Sequence, residues 1–127
     1  MRSTRSLSAI VAGGFLLVAA SARAPAQDPA VVNAKTIRVT LENDRVRVLE
    51  AVLAPGDREQ MHSHPAYVFY VLEGGTMRSH TADGKTSESE LRPGQVFYRD
   101  PLTHWAENVG TTTVRVLLVE LKDPAAG

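Results

Sequence analysis

Residues that form turns recur about every eight to twelve positions along most of this chain, which limits it to short structural elements. Proline fixes φ and glycine permits positive φ, so both residues favour turns. No segment between the turns sustains the period of an amphipathic helix. The chain is therefore expected to be all-β, as a sandwich or barrel of short strands. The strongest turn signals are Ala54-Pro55-Gly56-Asp57, Glu73-Gly74-Gly75, Ala82-Asp83-Gly84 and Arg92-Pro93-Gly94.

The segments between these turns are rich in residues that favour strands. In residues 45–49 polar and apolar side chains alternate, which predicts a strand with one wet face and one packed face. Residues 66–72 are nearly all apolar or aromatic, which predicts a central strand buried on both faces. Asp83-Gly84 suits the tight turn of a hairpin. The predicted strands are residues 36–41, 45–53, 66–72, 76–81, 85–91, 95–99 and 112–122.

The first 26 residues have the pattern of a signal peptide that is removed after export. Arg2 and Arg5 give the N-terminal end a positive charge, residues 7–20 form an apolar run, and residues 24–26 form an A-x-A cleavage site. Cleavage is expected before Gln27. The alternative is a single membrane anchor, but an apolar run of about fourteen residues is shorter than the roughly 20 that span a bilayer. We therefore expect an exported protein, periplasmic or secreted, that leaves the membrane after the signal is removed.

The rest of the chain has the composition of one ordinary globular domain, with 43% apolar and 22% charged residues among 127. Because three of the 14 basic residues lie in the leader, the body holds 11 basic and 14 acidic residues. This balance argues against nucleic acid as a partner. Without cysteine, no disulfide supports the core. We assign residues 27–35 to an irregular N-terminal arm, 36–122 to the β-barrel domain and 123–127 to a loose tail.

Three of the four histidines fit one metal site. His62 and His64 are one residue apart in an extended segment, so their side chains project from the same face. His104, on a distant strand, would complete one face of a metal ion. Neutral imidazole is the commonest protein ligand for such ions near neutral pH. Gln60 has the parity of the histidine pair and Asn108 has that of His104, so both are candidates to line the pocket.

These residues resemble the two sequence motifs of the cupin superfamily, over roughly residues 54–109. The resemblance implies a small antiparallel double-sheet jelly-roll barrel that holds one divalent metal ion inside it. The matching residues are, for the first motif, Gly56 followed after five residues by His62-Ser63-His64, and, for the second, Gly94, Pro101, His104 and Asn108.

One member of the family's ligand set is absent. The family places a glutamate a few residues after the second histidine, where this chain has Tyr67 or Val68. The resemblance therefore implies a site of three histidines, His62, His64 and His104, with Tyr67 placed to line the pocket. Three neutral imidazoles leave the charge of a divalent ion undiminished, so the ion would polarise an oxygen ligand strongly. Zinc, manganese, iron, nickel and copper are all candidates, and export makes ferrous iron the least suitable.

Three functions agree with such a site, because this fold supports many unrelated chemistries. The first is a metal-dependent enzyme, an oxygenase or an isomerase or lyase, that acts on a small organic molecule. The second is a binding module that captures a small acid or sugar without turnover. The third is a relic of the fold in which the metal is structural or absent. We expect the enzyme, and we expect a homodimer in which the last strand and the N-terminal arm cover exposed strand edges.

Overall fold

The computed structural model describes residues 27–123 of the chain. The leader and the last four residues lie outside this part, so the signal peptide and the loose tail stay predictions. No helix between residues 27 and 123 is long and apolar enough to cross a membrane. The elements are α1 (Pro29–Val32), β1 (Ile37–Glu42), β2 (Val46–Leu53), β3 (His62–His64), β4 (Tyr67–Glu73), β5 (Gly75–Thr81), β6 (Thr86–Leu91), β7 (Val96–Arg99), β8 (Leu102–Asn108) and β9 (Val114–Leu121).

The strands form two antiparallel sheets that enclose a cavity. One sheet has five strands in the order β1-β2-β9-β4-β7, and the other has four in the order β3-β8-β5-β6. The chain crosses between the sheets repeatedly, for example from β3 to β4, from β4 to β5 and from β6 to β7. This alternation between two antiparallel sheets is typical of a jelly roll. The predicted all-β jelly-roll fold is confirmed.

The turn residues in the sequence predicted most strand ends correctly. Gly84, with φ of 85°, closes the hairpin between β5 and β6, and Gly94, with φ of 88°, lies between β6 and β7. Residues with a Cβ rarely adopt this conformation, so the glycines mark these turns in the sequence. The bounds of β4 to β7 differ from the predicted segments by one residue at most at each end. β8 was not among the predicted strands, because it lacks a run of strand-forming residues between clear turn signals.

The N-terminal arm is more ordered than the sequence predicts. Residues 27–35, expected to be irregular, contain the helical turn α1, with Pro29 buried in its first turn. The side chain of Asp28 caps this turn by accepting a hydrogen bond from the backbone N–H of Ala30. Asn33 then accepts a 2.6 Å hydrogen bond from the backbone N–H of Gln60. The arm is therefore part of the fold and packs against the segment that leads into β3.

The core lies between the sheets, and the five-stranded sheet supplies most of it. On β4, Tyr67 and Val71 are buried, whereas Tyr70 and Leu72 are 41% and 37% exposed. The prediction that this strand is buried on both faces is wrong, because nothing among residues 27–123 covers the outer face of its sheet. The buried hydrophobic residues are Ile37, Leu49, Ala51, Leu53, Tyr67, Val71, Val114, Val116 and Leu118.

The last strand cannot protect a sheet edge, because it lies inside its sheet. β9 pairs with β2 along one side and with β4 along the other. The edges of the two sheets are formed by β1, β7, β3 and β6. The expectation that the C-terminal strand covers an exposed edge is therefore wrong, and the apolar character of β9 reflects its central position. The homodimer itself stays a prediction.

Candidate metal centre

The pairing of β3 with β8 brings the three histidines together. Its register sets His62 opposite His104 and His64 opposite Leu102. Because side chains alternate between the faces of a strand, all three histidines point into the barrel and line its cavity. His62 and His64 are only 1% and 4% exposed. One ring nitrogen from each of the three lies within 4.8 Å of the others, so they form a single cluster.

The hydrogen bonds of His62 and His104 leave the Nε2 atom of each ring free. Nδ1 of His62 lies 2.7 Å from the backbone carbonyl oxygen of Gln60. The side-chain amide nitrogen of Asn33 lies farther from the same atom, at 3.1 Å. Because the shorter contact is to a carbonyl, which only accepts, we place the proton of this neutral ring on Nδ1. Nδ1 of His104 lies 3.0 Å from the hydroxyl of Ser79, which can accept in the same way. In both rings Nε2 then carries the lone pair that a metal ligand needs.

His64 is held by a chain of charged groups that reaches the N-terminal arm. Its Nδ1 donates a 2.7 Å hydrogen bond to Oε2 of Glu120, whose Oε1 accepts a 2.8 Å bond from Nε of Arg47. The guanidinium of Arg47 also contacts both carboxylate oxygens of Asp28, at 2.8 and 3.1 Å. Carboxylates that accept from the far nitrogen of a ligand histidine fix its tautomer and raise its basicity. This series of charged groups therefore directs Nε2 of His64 toward the cavity.

The environment keeps two of the histidines neutral. Burial lowers the pKa of His62 to about 4. Burial also lowers the pKa of His104 to about 3, and its neighbours His62 and His64 add to this effect. Both rings are uncharged at pH 7 and keep their lone pairs. Three imidazoles with free Nε2 atoms, each anchored through Nδ1, fit a divalent transition-metal ion.

A buried carboxylate that the sequence analysis missed stands beside the histidines. The side chain of Glu59 is 7% exposed, and its Oε1 lies 4.0 Å from Nε2 of His62. The same oxygen accepts a 2.9 Å hydrogen bond from the backbone N–H of Ala106. Burial raises the pKa of Glu59 to about 7. Residues 59–61 lie outside the strands, so the alternation that places His62 inward says nothing about Glu59. The remaining sequence signal was its position three residues before His62.

Tyr67 and Val68, the two residues considered for the position of the family's glutamate, point in opposite directions. Tyr67 lines the cavity, with its ring centroid 4.6 Å from that of His64. Val68 alternates with it along β4 and is not among the residues that line the cavity. Burial raises the pKa of Tyr67 to about 12, so its hydroxyl stays protonated at neutral pH. Tyr67 therefore borders the histidine cluster as a neutral side chain.

Gln60 and Asn108, the other residues predicted to line the pocket, do not line it. Gln60 is exposed, and its backbone rather than its side chain meets the site through Asn33 and His62. Regular alternation fails here because residues 59–61 are not part of a strand. Asn108 is 2% exposed, but its side chain binds three backbone groups, one at the end of β2 and two in the loop after β8. It therefore secures the end of β8, as asparagine commonly does at a turn.

The histidines line a cavity of about 460 Å³ between the two sheets. This volume lies within the range of small-molecule sites, about 300–1,000 Å³. The wall formed by the five-stranded sheet is largely apolar, whereas the opposite sheet adds several hydroxyl groups. Apolar residues of the first wall are Ile37, Ala51, Leu53, Val114, Val116 and Leu118, and hydroxyl residues of the second are Ser79, Thr81, Ser87 and Ser89.

The fourth histidine lies outside this cavity. His80 is on the outer face of β5, where its ring stacks on that of Trp105 with centroids 3.8 Å apart. Its Nδ1 lies 3.1 Å from the hydroxyl of Thr86. It is thus separate from the cluster that lines the cavity.

Solved structures of other proteins share this architecture. A cupin domain from Bordetella pertussis Tohama I is 27% identical, with a TM-score of 0.63 over 68% of this chain and 92% of that one. A double-stranded β-helix protein from Klebsiella pneumoniae subsp. pneumoniae MGH 78578 is 25% identical, with a TM-score of 0.55 over 70% and 76% of the two chains. An RmlC-like cupin family protein from Methanocaldococcus jannaschii, at 14% identity, shares the fold with a TM-score of 0.58 over 71% and 82%.

None of the curated proteins matches this chain. A family model described as a cupin domain, however, matches residues 49–120, which is more than half of the chain. The matched region contains the histidine cluster and strands from both sheets. The chain therefore belongs to the cupin family.

Proposed function

We propose that this protein binds one divalent metal ion through His62, His64 and His104 and holds a small organic molecule beside it in the cavity. The observation that supports this function is the convergence of three anchored imidazoles on one enclosed space. Among residues 27–123, none of the three Nε2 atoms has a hydrogen-bond partner. A bound divalent ion would act as a Lewis acid on an oxygen atom of the ligand.

An enzyme is a better match than a binding module because of Glu59. Burying a carboxylate away from water is unfavourable. A pocket that only holds a ligand gains nothing from a buried carboxylate such as that of Glu59. Enzymes, in contrast, commonly place a buried acid beside the bound molecule. In this proposal the histidines hold the metal, and Glu59 exchanges a proton with the ligand. Oxygenase and isomerase or lyase chemistry both remain compatible with this arrangement.

The metal site is tested by elemental analysis of the purified protein and of two histidine variants. His64→Ala removes a cluster residue, and we expect it to hold less than about half the metal of the wild type while staying folded. His80→Ala removes the histidine outside the cavity and should keep the wild-type metal content. Full occupancy after all three cluster histidines are replaced by alanine would contradict the proposed site.

The enzyme is tested by a turnover screen of small organic molecules with the metal that the analysis identifies. We expect Glu59→Gln to retain metal while turnover falls by about 100-fold or more, as for loss of an acid–base group. Glu90→Gln, on the outer face of β6, removes the same charge away from the cavity and should have wild-type turnover. Equal turnover in the Glu59 variant and the wild type would contradict the role of Glu59, and no turnover in the wild type would leave the binding module as the better function.

A further inference from the structure

Arg99 is the one cationic side chain, lysine or arginine, among the described residues that line the cavity. It is the last residue of β7, where it lies opposite Tyr67 on β4. Phe97, two residues earlier on β7, packs against the core, whereas Val96 and Tyr98, which alternate with these two residues, are 62% and 58% exposed on the outer face. Arg99 is itself exposed, so the strand alternation places its guanidinium on the cavity side of β7, where the cavity is open to solvent.

The guanidinium of Arg99 has no acceptor within residues 27–123. It lies instead over two aromatic rings, those of Phe69 and Phe97, whose centroids are 5.7 and 5.5 Å from its Cζ. Asp100 follows it and also lines the cavity, yet the two side chains form no ion pair. A guanidinium carries five N–H donors in a fixed fork. Five other arginines of the described part are paired with carboxylates, namely Arg38, Arg47, Arg58, Arg78 and Arg115.

A continuous aromatic wall connects Arg99 with the metal centre. The ring of Tyr67 lies 4.6 Å from that of His64 and 6.2 Å from that of Phe69, measured between centroids. Phe69 in turn stacks on Phe97 at 4.8 Å, with 25° between the ring planes. A molecule that lies along this wall would meet the histidines at one end and the unpaired guanidinium at the other. Its middle would contact aromatic carbon atoms.

We propose that Arg99 binds a carboxylate of the ligand, so that the ligand is a small organic acid with an apolar or aromatic body. The inference rests on the proposed function, because the metal must hold the other polar end of the same molecule. A guanidinium pairs with a carboxylate through two parallel hydrogen bonds. Because Asp100 offsets part of its charge, Arg99 matches a singly charged carboxylate better than a doubly charged phosphate group.

The experiment measures binding of matched acids and amides by calorimetry to the zinc-loaded full-length mature chain. The probes are benzoate, 3-phenylpropionate and hexanoate, each with its primary amide, and phenylphosphonate as the doubly charged comparison. The variants are Arg99→Gln and, as the matched control, Arg92→Gln, which removes a charge from an exposed turn outside the cavity. Metal content and melting temperature are recorded for every sample.

We expect at least one acid to bind the wild type about 10-fold or more tightly than its amide, the effect of a charge-assisted pair. Arg99→Gln should abolish this preference at unchanged metal content, and Arg92→Gln should keep it. An acid preference that survives in Arg99→Gln, or no preference in the wild type, overturns the inference. So does phenylphosphonate binding more tightly than benzoate through Arg99. If the wild type takes up no metal, the proposed function fails; full metal uptake without acid preference contradicts this inference alone.

Discussion

His64 and Glu120 are joined across the barrel, since the imidazole belongs to the four-stranded sheet and the carboxylate to the five-stranded sheet. The side chains are 1% and 3% exposed, and 2.7 Å separates Nδ1 from Oε2. The orientation of this histidine is therefore set by the packing of one sheet on the other as well as by β3. The position of a metal bound at Nε2 would therefore depend on how the two sheets pack.

We expect Glu120→Gln to weaken metal affinity about 10- to 100-fold, the usual effect of losing a group that orients a ligand histidine. Glutamine keeps the shape of the side chain but carries no charge, so Nε2 of His64 becomes less basic. Competition with a chelator measures the affinity. Glu90→Gln is the control, because it removes the same charge from an exposed site. Equal metal affinities in the two variants would contradict the role of Glu120.

The buried histidines should make the metal-free protein less stable in acid. In the folded chain the pKa of His62 is about 4 and that of His104 about 3, against an ordinary value of 6.5. Below pH 6.5 the unfolded chain therefore binds protons that the folded chain does not, so a falling pH favours unfolding. We expect the melting temperature, followed by circular dichroism, to fall between pH 6.5 and 4.5.

Glu59 should act in the opposite direction over the same pH range. Its pKa is about 7 in the folded chain against an ordinary value of 4.5, so the folded chain binds the extra proton and gains stability as the pH falls. Glu59→Gln removes this gain, and the loss of melting temperature toward pH 4.5 should be steeper in the variant. The lowered pKa of Glu120 and of Asp28 matters only in stronger acid. Parallel curves for variant and wild type would argue against a buried Glu59.

Installing the family's glutamate should have an effect at one of two adjacent positions only. Tyr67→Glu would place a carboxylate beside His64, where a charged oxygen donor should raise affinity for manganese or iron. Val68→Glu is the matched control, since Val68 points away from the cavity. Metal titrations of both variants, with melting curves to confirm folding, measure the difference. An increase in Val68→Glu alone would mean that β4 presents its other face to the metal.

We propose that the chain is exported and its leader removed before Gln27. The apolar run of the leader is too short to span a bilayer and ends near an A-x-A site. Mass spectrometry of the protein from its native host should find an N-terminus at or near Gln27. Detection of an intact Met1 on protein from the cytosol would contradict export.

We expect the protein to form a homodimer. The outer face of the five-stranded sheet exposes a group of apolar side chains on β4 and β7, and such groups commonly mark interfaces. Light scattering at tens of micromolar, a concentration chosen to favour association, should give twice the mass of one mature chain. Replacing Tyr98, which is 58% exposed on this face, by glutamate should reduce that mass. A monomer mass for the wild type would count against the dimer.

The histidine cluster was predictable because its geometry is largely local. His62 and His64 share a face by strand alternation alone, and the turn glycines fixed the ends of most strands. The histidine pair and the turn glycines depend on neighbours in the sequence, so a single chain carries these signals in full. His104 lies on β8, which was not among the predicted strands, and the resemblance to the second cupin motif supported its place in the site.

The rest of the site depends on contacts between distant segments. Glu59 lines the cavity from the irregular segment before β3, and Glu120 reaches His64 from the opposite sheet. Gln60 was misplaced because it lies in the same segment, and two-residue alternation holds only where the backbone is a regular strand. Asn108 was misplaced because its side chain binds the backbone at the end of β2 and in the loop after β8.

The N-terminal arm would link the proposed removal of the leader to the proposed metal site. Asp28, the second residue after the expected cleavage point, pairs with Arg47, and Asn33 donates to the backbone carbonyl that orients His62. A chain cleaved a few residues later would keep the strands of the barrel but lose the ion pair of Asp28 with Arg47, which supports Glu120 and His64. The site of proteolytic processing would thus tune metal affinity from outside the cavity.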